Sequence, residues 1–162
     1  MYKIFLFLLI GSSVLLSQDN RGYIVNVGDE VPFFKLNNET SFIDQYKGKV
    51  IMLQFTASWC SVCIKEMPFI ENEIWEKYKE NDDFILIALT KDSNERPQRE
   101  KEIEILIEKT GVTYPIITDY NSNIFQLFAE EKAGVTRNII INQNGRIEFL
   151  TRLFNRDEFN EM

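Results

Sequence analysis

The stretch Val50-Ile51-Met52-Leu53-Gln54-Phe55-Thr56-Ala57-Ser58-Trp59-Cys60-Ser61-Val62-Cys63 contains both cysteines of a 162-residue chain. Its first half, Val50 to Thr56, is almost continuously apolar, the pattern of a central strand covered on both faces. Its second half sets the two thiols at the start of what reads as a long helix, Cys60 to about Lys79. There Met67, Ile70, Ile74 and Tyr78 recur at helical spacing. The first turn of a helix offers unpaired backbone N–H groups and the positive end of the macrodipole. A thiol placed there loses its proton more easily than a free cysteine, whose pKa is about 8.5. The thiolate is the nucleophile in disulfide exchange, so Cys60, nearest the helix start, is the expected attacker and Cys63 the expected resolver. Pro68 falls inside the same helical pattern and removes a backbone donor, which predicts a bent helix.

Composition narrows the chemistry. A purely structural disulfide is the plain alternative for the pair, but a bridge closing so short a loop restrains little of the unfolded chain. A structural zinc site wants four Cys or His ligands, and two cysteines with no histidine cannot supply them. No metal and no organic cofactor are expected. The lack of histidine also excludes Ser-His-Asp and Cys-His nucleophile systems. A formal charge of −7 argues against nucleic acid as the main partner. With 44% apolar and 13% aromatic residues in this length, one domain with a real core is expected, as a monomer.

Outward from the centre, the N-terminal residues 1–17 read as a signal peptide. Lys3 is followed by a mostly apolar run, Ile4 to Leu16, too short for the roughly 20 residues that span a bilayer. Cleavage after Ser17 is expected, with an uncleaved anchor as the alternative. Export suits a cysteine pair, since disulfides persist outside the reducing cytosol. Residues 18–30 form a lead-in and residues 31–162 the folded domain. Within it Val31 to Leu36 reads as an edge strand, Phe84 to Thr90 and Tyr114 to Thr118 as strands, and Asn138 to Asn142 as another. Asn94 to Lys109 and Ser122 to Glu130 read as helices, and Asn155 to Met162 as about two helical turns. Asn144-Gly145 predicts a two-residue hairpin turn leading into Arg146 to Thr151. Strands alternating with helices indicate a three-layer α/β/α sandwich, its mixed sheet mostly parallel with a C-terminal antiparallel hairpin.

The run from Gly48 through Ala57-Ser58-Trp59-Cys60-Ser61-Val62-Cys63 to Glu66-Met67-Pro68 resembles the thioredoxin superfamily, and within it the TlpA/ResA-like exported thiol-disulfide oxidoreductases. The likeness continues through Gly134-Val135 to Asn144-Gly145. It implies a thioredoxin-like fold with an extra αβ insertion between Lys91 and Asp119. The activity implied is exchange on protein disulfides outside the cytoplasm, in the direction of reduction, with a membrane-bound electron donor. It also implies that Glu66 is a proton-handling acid beside the dithiol, while Gln54 stands where thioredoxins keep a buried acid. The superfamily's cis-proline position falls on Thr136, so Val135 and Thr136 are expected to contact substrate, with Trp59 as an apolar docking rim. A cis bond before a non-proline residue costs roughly 3 to 4 kcal/mol, so Val135–Thr136 is expected trans. Arg137-Asn138 are polar where the resembling pattern is not, read either as surface solubility or as part of the loop's function. Two rival functions remain: a non-catalytic thioredoxin-like binding domain, and a peroxiredoxin-like peroxidase whose Pro-x-x-x-Thr/Ser-x-x-Cys spacing this chain lacks.

Overall fold

A computed structural model describes residues 21–36 and 40–162. The expected signal peptide and the first part of the lead-in lie outside the described residues. Five strands form one sheet in the order β3-β2-β1-β4-β5, with β1 (Val50–Thr56) central, flanked by β2 (Phe84–Lys91) and β4 (Arg137–Ile141). β1–β2 and β2–β3 (Ile116–Asp119) are parallel, whereas β4 runs antiparallel to both β1 and β5 (Ile147–Arg152). The parallel character therefore ends at β1 rather than reaching the edge hairpin.

The alternation of β1 explains the layers. Its odd residues Ile51, Leu53 and Phe55 are buried, and Phe55 meets Phe125 and Phe128 edge-on or tilted, with ring centroids 5.3 and 5.7 Å away. Those rings belong to α5 (Phe125–Phe128), which shares this face with α1 (Phe42–Gln45) through Phe34, stacked on Phe42 and edge-on to Phe128. The even residues face α2 (Ser61–Ile70): Thr56 donates to the Met67 sulfur, and Gln54 reaches Glu66. Five aromatic rings thus pack together on one face of the sheet, and Gln54 and Thr56 bring polar groups to the other face beside α2.

Pro68 lies inside α2, where it cannot donate to the preceding turn. The chain answers with a π-helical stretch over Glu71–Trp75 before closing as α3 (Glu76–Tyr78). The Glu71 carboxylate there accepts from both the backbone and the hydroxyl of Thr113, and the Trp75 indole donates to the same hydroxyl. These contacts tie the helix to the inserted α4 (Glu100–Thr110) and β3.

Several boundaries differ from expectation. Val31 to Leu36 is not a strand; the Glu30–Arg146 bridge precedes it, Val31 N donates to Gly145 O and Phe34 O accepts from Phe42 N, and Pro32 has no N–H for a ladder. α4 begins at Glu100 rather than Asn94, because the Asp92 carboxylate takes the Gln98 N–H, Ser93 takes that of Arg96, and Glu102 takes that of Arg99. Residues 122–130 make only the single turn of α5, capped by the Asp119 carboxylate on Ile124 and Phe125. The final hairpin turns through three residues, 143–145, with Gly145 left-handed at φ 75° and the Asn142 side chain bonding Asn144 and Arg146. α6 (Arg156–Glu161) is the short C-terminal helix, capped by Asn155. Among the described residues, no helix is long and apolar enough to cross a membrane.

Candidate active site

The loop between β1 and α2 carries the cysteines to the edge of the core. Cys60 is the N-cap of α2 and its sulfur accepts the Cys63 N–H at 3.1 Å. The two sulfurs are joined as a disulfide, with Cα atoms 5.3 Å apart. Cys60 retains 6% of its surface and Cys63 none, so an incoming sulfur can reach only Cys60. Trp59, 43% exposed, carries the Arg96 guanidinium 4.8 Å over its ring. Beside it opens a cavity of about 470 Å3, walled by Trp59, Arg96, Lys91, Gln126 and Ala133-Gly134. A larger groove, about 650 Å3, is lined by Ile74, Tyr78 and Phe159 and shares no residue with the dithiol.

Opposite the cysteines runs the Gly134–Thr136 loop that leads into β4. The Val135–Thr136 peptide bond is cis, which corrects the trans expectation. Contacts on both sides hold the loop in place: Thr136 O accepts from Leu153 N at 3.1 Å, and Val135 O faces the Cys60 sulfur at 3.8 Å. Thr136 is fully buried, with its hydroxyl 2.6 Å from the Cys63 sulfur and 3.5 Å from that of Cys60.

Glu66 lies one helical turn beyond Cys63 on the same face of α2 and is 1% exposed. Burial disfavours the ionised carboxylate and pushes its pKa up to about 7, against the bonds it accepts from Asn138 and Gln54. Asn138 donates to Glu66 at 2.8 Å and to Thr151 at 3.0 Å; Gln54 donates at a long 3.5 Å and accepts from the Tyr114 hydroxyl at 2.9 Å. Gln54, which does not titrate, thus contributes a long hydrogen bond to the carboxylate of Glu66.

Arg137 and Asn138 are buried, at 0% and 1% exposure, so neither serves to keep the surface soluble. Arg137 donates to the carbonyls of Gly134 and Arg21, covers the Tyr23 ring at 4.4 Å, and holds the base of the Thr136 loop. Gly22, with φ 77°, sits so close that a Cβ there would lie 3.0 Å from the Arg137 guanidinium. Gln98 is a further site residue that sequence reasoning passed over: its side-chain oxygen anchors the Ser58 N–H at 2.6 Å, next to Trp59. Among the described residues no cluster of His, Cys, Asp or Glu could hold a metal ion.

A family description named Redoxin matches residues 26–162. The chain belongs to the Redoxin family. This redoxin is ResA-like within the thioredoxin superfamily. It is 30% identical over 140 residues to the thiol-disulfide oxidoreductase ResA of Oceanobacillus iheyensis, a match covering 82% of this chain and 67% of that protein. Its fold is similar to the solution structure of a candidate protein disulfide isomerase from Bacteroides thetaiotaomicron, with TM-score 0.77 and 44% identity over 86% of this chain and 87% of that one. It also matches the thioredoxin domain of a thiol-disulfide oxidoreductase from Bacteroides vulgatus in fold, with TM-score 0.65 and 20% identity over 85% of this chain and 95% of that one.

Proposed function

We propose that this redoxin is a thiol-disulfide oxidoreductase acting on protein disulfides outside the cytoplasm, as a monomeric reductant recharged by a membrane-bound electron donor. The observation that carries the reading is the division between the sulfurs: Cys60 caps a helix with some surface open, while Cys63 is sealed behind it. In the reduced chain the Cys60 thiolate attacks a substrate disulfide and one substrate sulfur leaves as thiolate. Cys63 then attacks the Cys60 sulfur, the second substrate sulfur departs, and the chain is left as the Cys60–Cys63 disulfide. Two electrons pass to the substrate. Glu66, titrating near neutrality, takes the proton shed by Cys63. Trp59, the adjoining cavity and the Val135–Thr136 loop receive the substrate chain around its disulfide. The leader-like residues 1–17 support export.

Replacing Cys63 with Ser is expected to trap extracytoplasmic proteins on Cys60 as adducts released by reductant, and the further change Cys60→Ser to abolish them. Absence of adducts would favour a binding domain, and peroxide consumption without a resolving cysteine a peroxidase. A potential near or below about −270 mV, that of thioredoxin, would mark a reductant, and one near about −120 mV, that of DsbA, an oxidant.

A further inference from the structure

We propose that the Thr136 hydroxyl is a catalytic group, donating to the Cys63 sulfur and stabilising the thiolate that forms there when the Cys60–Cys63 bond opens. The inference deepens the exchange reading above and rests on it. Its basis is where the hydroxyl is and what surrounds it. Thr136 is fully buried, and its Oγ1 lies 2.6 Å from Cys63 and 3.5 Å from Cys60. Among the described residues no nitrogen or oxygen pairs with that hydroxyl, so its one proton is directed at sulfur.

The step that regenerates the dithiol shows what the donor is for. An incoming thiolate attacks Cys60, the one of the two cysteines with exposed surface, and a new S–S bond forms to its sulfur. The electron pair of the old bond leaves on Cys63, whose negative charge appears in a place water does not reach. A buried anion without a donor is strongly disfavoured, and a fixed O–H already aimed at the departing sulfur supplies that donor with no reorganisation. Glu66, one turn along, then passes its carboxyl proton to Cys63, and the attacking molecule's second thiol resolves the mixed disulfide. In reverse, the same O–H favours the Cys63 thiolate as nucleophile. The backbone holds the hydroxyl there: Thr136 O is bonded by Leu153, and the next residue, Arg137, is clamped to Gly134.

The test is the rate at which dithiothreitol opens the disulfide in the full chain, compared among the parent, Thr136→Val and Thr136→Ser. Valine keeps the shape and deletes the hydroxyl; serine keeps the hydroxyl. A charge-assisted hydrogen bond predicts opening ~10- to 100-fold slower in Thr136→Val, with Thr136→Ser within ~3-fold of the parent. In the reduced chains the alkylation midpoint of Cys63 should rise in the valine variant and return in the serine variant. Equal rates for parent and valine, or equal slowing by valine and serine, overturn the proposal. If valine prevents folding, Thr136→Ala against Thr136→Ser carries the same comparison. Because dithiothreitol replaces the protein substrate, failure here is separable from failure of the trapping experiment, which tests the wider reading.

Discussion

Glu66→Gln is expected to gain about 3 kcal/mol of stability relative to the parent between pH 4.5 and pH 8.5. Buried Glu66 titrates at about 7 in the folded chain and at 4.5 when exposed. Between those values the unfolded chain has released a proton that the folded chain still holds, so parent stability falls as pH rises. The contribution of the neutral carboxyl is fully present below 4.5 and is lost as pH passes through 7. Glutamine does not titrate and escapes that loss. Asp119, pushed up by burial to about 6, erodes stability in the same direction but does so in both proteins and cancels from the difference. Urea unfolding of the two chains at both pH values measures the effect. A stability difference that does not change with pH would mean that Glu66 ionises like a surface carboxylate. The variant should also lose the rise of the resolving step through pH 7, since glutamine accepts no proton from Cys63.

Arg137→Ala should cost about 3 to 5 kcal/mol, the range for emptying a large buried site. The guanidinium fills space against Tyr23 and closes the carbonyls of Gly134 and Arg21, and alanine leaves both carbonyls and a void. Arg137→Met should cost distinctly less. Among the described residues no carboxylate pairs with this arginine and its Nη1 has no hydrogen-bond partner, and burial lowers its pKa. An apolar side chain of similar volume removes that desolvation penalty while keeping the packing. Chemical denaturation of the two variants separates these contributions, and equal losses would mean that the charge itself stabilises the fold. Because Arg137 follows Thr136 directly, Arg137→Ala should slow disulfide exchange as well.

The fold was legible wherever chemistry and periodicity agreed. Val50 to Thr56 reads as a buried strand because nearly every residue is apolar, and the cysteines read as a helix start because that strand ends just before them. What escaped was set by partners distant in sequence. Arg137 and Asn138 look like surface residues, since nothing nearby shows that Asn138 meets Glu66 and Thr151 or that Arg137 covers Tyr23, 114 residues earlier. The late start of α4 follows from Asp92 and Ser93 capturing backbone donors, a local competition that helix periodicity does not register. The cis bond before Thr136 opposes the intrinsic preference of a non-proline residue, and the groups around it, Leu153 and the cysteines, lie far away in sequence. Glu66 was placed by resemblance alone; its burial and raised pKa come from the sheet face it packs on.

Cys60 is made reactive by its seat at the start of α2, and the pH dependence of its alkylation in the reduced chain is the decisive measurement. A midpoint well below about 8.5, the value of a free cysteine, is expected, with Cys63 alkylated far more slowly at every pH. A Cys60 midpoint at or above that of an unstructured cysteine peptide, or equal reactivity at the two sulfurs, would contradict it.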